Sequence, residues 1–403
     1  MSLFDDASHG PGAANPDAPR RADHHGTPDA PLRPRFEVDP SAAGKRFRRR
    51  RVRPRTVVSW AIAVLLIGGT IFGLAPSPYV IEKPGPVFDT LGTAEHDGAA
   101  VPLIDIPGQQ TYPTSGELNL LTVSITGTAK RAANWLDVLQ AWLDPSRSVV
   151  PHDEFFPPNV TPQEQQQQSA ADMTDSKQDA VAAALVELGY DVGRDVKVAS
   201  IAQGLPADGV LKVGDTVKAV NGTAVHSYRE LRAAVQATKG QASKFDIIRD
   251  GSPLTVTLTP TFTQDAYLIG AGARMAYTVP FAVNLQLDNV GGPSAGMMFA
   301  LGIIDKLTPG AATGGQVFAG TGTIDATGVV GPIGGIREKL WGAQRAGAKW
   351  FLAPTSNCDD VVGQIPDGLT VFAVDSLHQA REIVETIGAG GDTSKFEGCP
   401  APH

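Results

Sequence analysis

The chain has 403 residues, of which 42% are hydrophobic and 19% charged, and its formal net charge is −8 at pH 7. That length carries two or three domains with ordinary cores, and the acidic balance argues against nucleic-acid binding, which rests on neutralising phosphates. Two cysteines, and no HExxH pattern or other ligand set of zinc spacing, exclude a cysteine-rich zinc module and a zinc peptidase of that kind. No cofactor is implied.

Residues 1–44 are rich in Pro, Ala, Asp, Gly and His without apolar periodicity, the composition of a disordered segment. His24 and His25 sit in it as an isolated pair, which rarely binds metal. A basic run follows: Lys45, Arg46, Arg48, Arg49, Arg50, Arg51, Arg53 and Arg55. Through Arg55 there are twelve basic and seven acidic residues, a net of +5, so the remainder carries −13. Val57 to Ala75 is almost wholly apolar and uncharged, and as a helix it would span about 28 Å, close to a bilayer core. The next cations are Lys83 and then Lys130. The positive-inside rule therefore puts the N-terminus in the cytoplasm and everything after Pro76 outside, with the lipid bilayer as partner of 57–75. A cleaved signal peptide is the competing reading, and a leader of more than fifty residues argues against it.

From Tyr79 to Ser124 strand-like runs alternate with turns. Ala129–Leu143 and Ser176–Leu188 read as helices, separated by the Pro-rich stretch 144–161 and the glutamines Gln165 to Gln168. Between Val196 and Pro260 the signals are those of a small β-rich module. Thr216–Val220 is a strand, Asn221-Gly222 a hairpin turn, and Ser227–Thr238 a helix ended by Gly240. Phe245–Arg249 and Leu254–Leu258 flank the turn Asp250-Gly251. Cys358 and Cys399 are the only cysteines, and outside the cytoplasm they could pair and tether the segment after Gly388.

Two features carry chemistry. Gly292-Pro293-Ser294-Ala295-Gly296 precedes an apolar segment, Met297 to Ile304, so Ser294 is expected at a helix N-terminus. Unpaired amides and the helix dipole there favour the negative charge of an oxyanion. Forty-five residues on, a helix from Ile336 to Gly347 carries an apolar stripe of Ile336, Leu340, Ala343 and Gly347. Lys339 falls at its edge, and Arg337, Glu338, Gln344 and Arg345 fall elsewhere. A buried lysine can serve as general base for a serine without any histidine. An ordinary lysine, with a pKa of about 10.4, is neutral about once in 2,500 at pH 7, a deficit of roughly 4.6 kcal/mol. Burial lowers a lysine by as much as about 3–5 units, so Lys339 is expected to be desolvated and hydrogen-bonded to Ser294.

The stretch from Asn289 to Pro354 resembles the proteolytic domain of the Lon protease family. The resemblance lies in the GPSAG segment, Thr321-Gly322, the run from Val330 to Gly335, and the helix from Ile336 followed by Phe351-Leu352-Ala353-Pro354. It implies a Ser294–Lys339 catalytic dyad with the Thr321 hydroxyl supporting the lysine, polypeptide substrates, and a hexamer that completes the sites. One departure stands out: the family often has aspartate three residues before the serine, and this chain has Gly291. The run Gly204-Leu205-Pro206-Ala207-Asp208-Gly209 through Gly214-Asp215 to Val220-Asn221-Gly222 resembles a PDZ domain of the bacterial protease-associated kind. PDZ domains bind extended chain ends by strand addition.

The expected architecture is α+β: a Lon-type proteolytic domain with an inserted PDZ domain, preceded by one transmembrane helix and a disordered N-terminal tail. The expected boundaries are 1–55 for a basic cytoplasmic tail, 56–76 for the transmembrane helix, and 77–190 for the first part of the protease fold. The PDZ domain would cover 191–262, the proteolytic domain 263–388 and a tail 389–403. GxxxxGK[ST] is absent, so no nucleotide partner is expected and the peptidase would be ATP-independent. Two other readings compete. A PDZ-bearing membrane scaffold would carry a silent protease fold, and an α/β-hydrolase would use Ser294 as its nucleophile elbow, with His378 and Asp359, Asp360 or Asp375.

Overall fold

The computed structural model describes residues 54–399 apart from 97, 129, 159, 264 and 289. The expected tail, 1–55, lies almost wholly outside the described residues, as do His24 and His25. Residues 63–403 form one compact unit that contains both sheets and the site. Helix α1 covers Pro54–Leu74. Its described side chains begin at Val58 and are largely exposed, Leu65 at 75% and Ile71 at 67%. Among the described residues no helix is long and apolar enough to cross a membrane.

The elements that follow are β1 (Tyr79–Asp89), β2 (Glu117–Thr126), α2 (Trp135–Leu143), β3 (Ser148–Pro151) and α3 (Pro162–Glu187). The expected helix 129–143 therefore starts later, where Asn134 caps it by accepting from the Asp137 amide at 2.9 Å. Helix α3 begins far earlier than expected, and the glutamine run is helical. The cause is local. Thr161 and Glu164 form a reciprocal capping box with Pro162 at the first position, a strong start signal that outweighs polarity.

Next come β4 (Gly193–Ile201), β5 (Thr216–Val220), α4 (Tyr228–Ala237), β6 (Ser243–Arg249), β7 (Ser252–Leu258) and β8 (Ala271–Thr278). They form an antiparallel sheet in the order β7-β6-β5-β4-β8. Asn221 and Gly222 both take positive φ, 48° and 80°, as the short hairpin turn requires. Ser227 caps α4 through the Glu230 amide. The last strand, β8, lies past the expected boundary at 262, because it pairs along the whole of β4, from Ala271–Ile201 to Thr278–Gly193. The first and last strands of the module are thus neighbours, and the chain enters and leaves it side by side.

The final part holds α5 (Gly296–Leu307), β9 (Val317–Gly320), α6 (Ile336–Arg345), β10 (Trp350–Pro354), β11 (Thr370–Val374) and α7 (Leu377–Gly388). Strands β11, β10, β9 and β2 run parallel, and β1 and β3 close the sheet antiparallel, in the order β11-β10-β9-β2-β1-β3. Successive side chains point to opposite faces, and in β2 both faces are buried. Leu118 and Leu120 join the core of α3, α5 and α7, whereas Leu121 joins Ile336, Leu340 and Phe351 under α6. The sheet thereby carries the serine helix on one face and the lysine helix on the other. The end of the chain is fastened down. Glu397 accepts from the Ala373 amide at 3.0 Å, Phe396 packs edge-on against Phe372, and Cys358 and Cys399 form a disulfide.

Candidate active site

Ser294 lies in the turn just ahead of α5, whose apolar residues Met297, Met298 and Phe299 are fully buried. The core holds α5 rigidly and leaves its first amides without intrahelical acceptors beside the serine. The Ser294 carbonyl accepts from the Gly322 amide at 2.9 Å and from Thr321 Oγ1 at 3.0 Å, which fixes the turn to the segment leaving β9.

Lys339 occupies the first turn and a half of α6. The helix starts at Gly335, whose φ of 67° and contact with β2 suit glycine; an added Cβ would stand 2.6 Å from Val123 Cγ2. From there the lysine points inward and is 3% exposed. Its Nζ donates to Thr321 Oγ1 at 3.1 Å. The expected bond to Ser294 is therefore replaced by a relay: the Lys339 amine donates to the Thr321 hydroxyl, which donates to the Ser294 carbonyl. Ser294 and Lys339 nevertheless line one cleft of about 610 Å³, together with Phe88, Met173 and Val290.

Burial pushes the Lys339 ammonium down to about 8, with Glu338 and Glu82 pulling the other way. At that value about one amine in eleven is neutral at pH 7, against about one in 2,500 for an ordinary lysine. Glu338, which lies off the apolar stripe of α6, is nevertheless 1% exposed, and its carboxylate accepts from Ser148 Oγ of β3. Glu82, on β1, is held above the usual carboxylate range by burial and by Glu338 and Glu154. No periodicity argument finds Glu338. The partner strand that buries it is 190 residues away in sequence.

The structure thus brings together the three residues the sequence singles out. Gly291 also finds its reason, because a Cβ there would collide with Ser169 Oγ of α3. An acidic residue still borders the cleft, three residues earlier, as Asp288. The hydrolase arrangement is not built. The strands of the first sheet that precede Ser294 are β1, β2 and β3, in which β1 pairs antiparallel with both β2 and β3 instead of extending a parallel sheet, and exposed His378 bonds Glu187 at 2.9 Å. Among the described residues no group of His, Cys, Asp and Glu side chains could hold a metal ion.

The model of the Lon protease (S16) C-terminal proteolytic domain matches residues 289–387, and that of the PDZ domain matches 168–259. Similar proteins include Lon protease 1 of Bacillus subtilis, 38% identical over 94 residues, 23% of this chain and 12% of that protein. Lon protease of Roseiflexus castenholzii is 44% identical over 70 residues, 17% of this chain and 8% of that one. The chain thus spans about an eighth or less of the length of these relatives. A solved PDZ domain of an SdrC-like protein from Listeria monocytogenes is similar at 22% identity, covering 19% of this chain and 85% of that one, with a TM-score of 0.19. The segment that holds Ser294, Thr321 and Lys339 thus matches the proteolytic domain of the Lon protease (S16) family, and the segment before it matches a PDZ domain.

Proposed function

We propose that the chain is a membrane-anchored, ATP-independent endopeptidase in which Ser294 attacks the scissile carbonyl, Lys339 takes and returns the proton, and Thr321 positions the lysine. The observation that carries this reading is a 3%-exposed amine bordering the same cleft as a serine at a helix start. The amine has to swing from Thr321 Oγ1 to Ser294 Oγ, and bonds of this kind commonly tighten only when substrate binds. Developing charge on the carbonyl oxygen would be met by amides at the start of α5 other than that of Met297, which donates to the Gly322 carbonyl at 3.1 Å. Without a nucleotide-driven unfoldase in the chain, the substrates are flexible or partly unfolded polypeptides, recruited or gated by the PDZ domain, and the working form is an oligomer.

Purified full-length protein should degrade fluorescent casein, and Ser294→Ala should lose at least about 10³-fold in kcat with an unchanged melting curve. Equal turnover by wild type and variant would refute the assignment. A well-folded wild type that cleaves no polypeptide would favour the scaffold reading.

The anchor is α1. Its 21 residues extend about 31 Å, and the described part, from Val58 on, is apolar outward but falls just short of the usual ~18-residue minimum. With the basic run before it, the reading is one span, N-terminus in the cytoplasm and both domains outside. The full chain should then resist carbonate extraction and a chain starting at Pro76 should not; release of both by carbonate would remove the anchor.

A further inference from the structure

Helix α3 packs with α5 and α7 in the core over one face of the first sheet and is also bonded to the PDZ module. It runs along the nucleophile segment and then passes, through 188–192, straight into the first PDZ strand. Two of its residues hold the backbone just ahead of Ser294. The Ser169 carbonyl accepts from the Gly292 amide at 3.0 Å, and Ser176 Oγ donates to the Pro293 carbonyl at 2.9 Å. The approach is close, and glycines stand at the two positions of this segment that face α3. A Cβ at Gly291 would collide with Ser169 Oγ, and one at Gly296 would stand 3.0 Å from Ser176 Oγ. Ser176 is 3% exposed and belongs to the same wall of buried residues as Met173 and Ala180.

The same helix is gripped from the PDZ side. Tyr277 of β8 donates its phenol to Asp179 Oδ1 at 2.5 Å, one turn beyond Ser176. Burial pushes the Asp179 carboxyl up to about 6 and raises the phenol too, so the pair is sheltered from water, where a hydrogen bond is stronger. Lys177 donates to the Leu287 carbonyl at 3.0 Å, on the stretch that leads from β8 to the nucleophile. Among the described residues the opposite edge of β8 pairs with no strand.

We propose that α3 is the element through which the PDZ strand β8 sets the nucleophile turn, with Ser176 and Tyr277 as positioning residues for Ser294. Rotation or retreat of α3 would free the Pro293 carbonyl and the Gly292 amide together, and a misplacement on the order of 1 Å can cost about 100-fold in rate. The proposal rests on Ser294 being the nucleophile.

The test is steady-state cleavage of casein by the full chain. Ser176→Ala should lower kcat by about 10–100-fold and Tyr277→Phe by about 5–30-fold, each with KM within about twofold, and Ser176→Thr should stay within about threefold of wild type. Because both act through one helix, the double variant should fall no more than about threefold below Ser176→Ala. Asp179→Ala removes the same latch from its other side and replaces Tyr277→Phe should the latter melt early. Unchanged kcat in a well-folded latch variant, losses that multiply in the double variant, or a rise in KM at constant kcat would each overturn the proposal. Ser294→Ala, run alongside, separates the two levels: residual turnover there would sink the nucleophile assignment itself.

Discussion

Lys339→Met should abolish turnover, with kcat down by at least about 10³-fold, because a positioned base contributes about 10²–10⁴ and Lys339 is the one basic side chain among the described residues that line the cleft. Lys339→Arg should be as inactive, since guanidinium does not deprotonate in the working range. The wild-type profile follows from the sign of the shift. The base works when neutral, and burial lowers its pKa to about 8, so kcat/KM rises through that value and levels off about a unit above it. At pH 7 the rate should be about a tenth of the plateau. The same shift touches stability. The folded lysine holds its proton less tightly than the unfolded one, so stability gained by Lys339→Met should be largest below pH 8 and fade as pH rises toward 10.5. A rising limb that persists in Lys339→Arg would remove the lysine from the mechanism.

Much of this site was readable because its parts are local. GPSAG with an apolar run behind it specifies a serine at the mouth of a buried helix, and Ile336, Leu340 and Ala343 specify which side of α6 faces the sheet. In the PDZ module the Asn-Gly turn and the Ser227 cap place a strand and a helix within a residue or so of where they fold. The failures are of two kinds. Helix α3 reads too short from its sequence because its first half is polar, although Thr161, Pro162 and Glu164 carry a complete start signal. Glu338, the Ser176–Pro293 bond and strand β8 depend on partners 70 to 190 residues away, and no periodicity records them. The dyad itself shows the same limit. Its members were identifiable, whereas the threonine relay that holds them apart at rest is a property of the packed cleft.

That relay makes Thr321 the second position of large effect. It is 1% exposed, accepts from Lys339 and donates to the Ser294 carbonyl. Thr321→Val keeps the volume and deletes both bonds. The carbonyl retains the Gly322 amide, but the amine is left in a dry site without its acceptor, a cost of about 1–3 kcal/mol. Released from one fixed partner, the lysine loses its aim at the hydroxyl, and kcat should fall by about 10–100-fold. KM should hold, because Thr321 sits behind the cleft rather than among the side chains that line it. Thr321→Ser restores a hydroxyl at the same atom and should recover activity to within a few-fold. Full activity in Thr321→Val would mean that Lys339 orients itself unaided, and a dead Thr321→Ser with a normal melting curve would mean that the methyl group, not the hydroxyl, does the positioning.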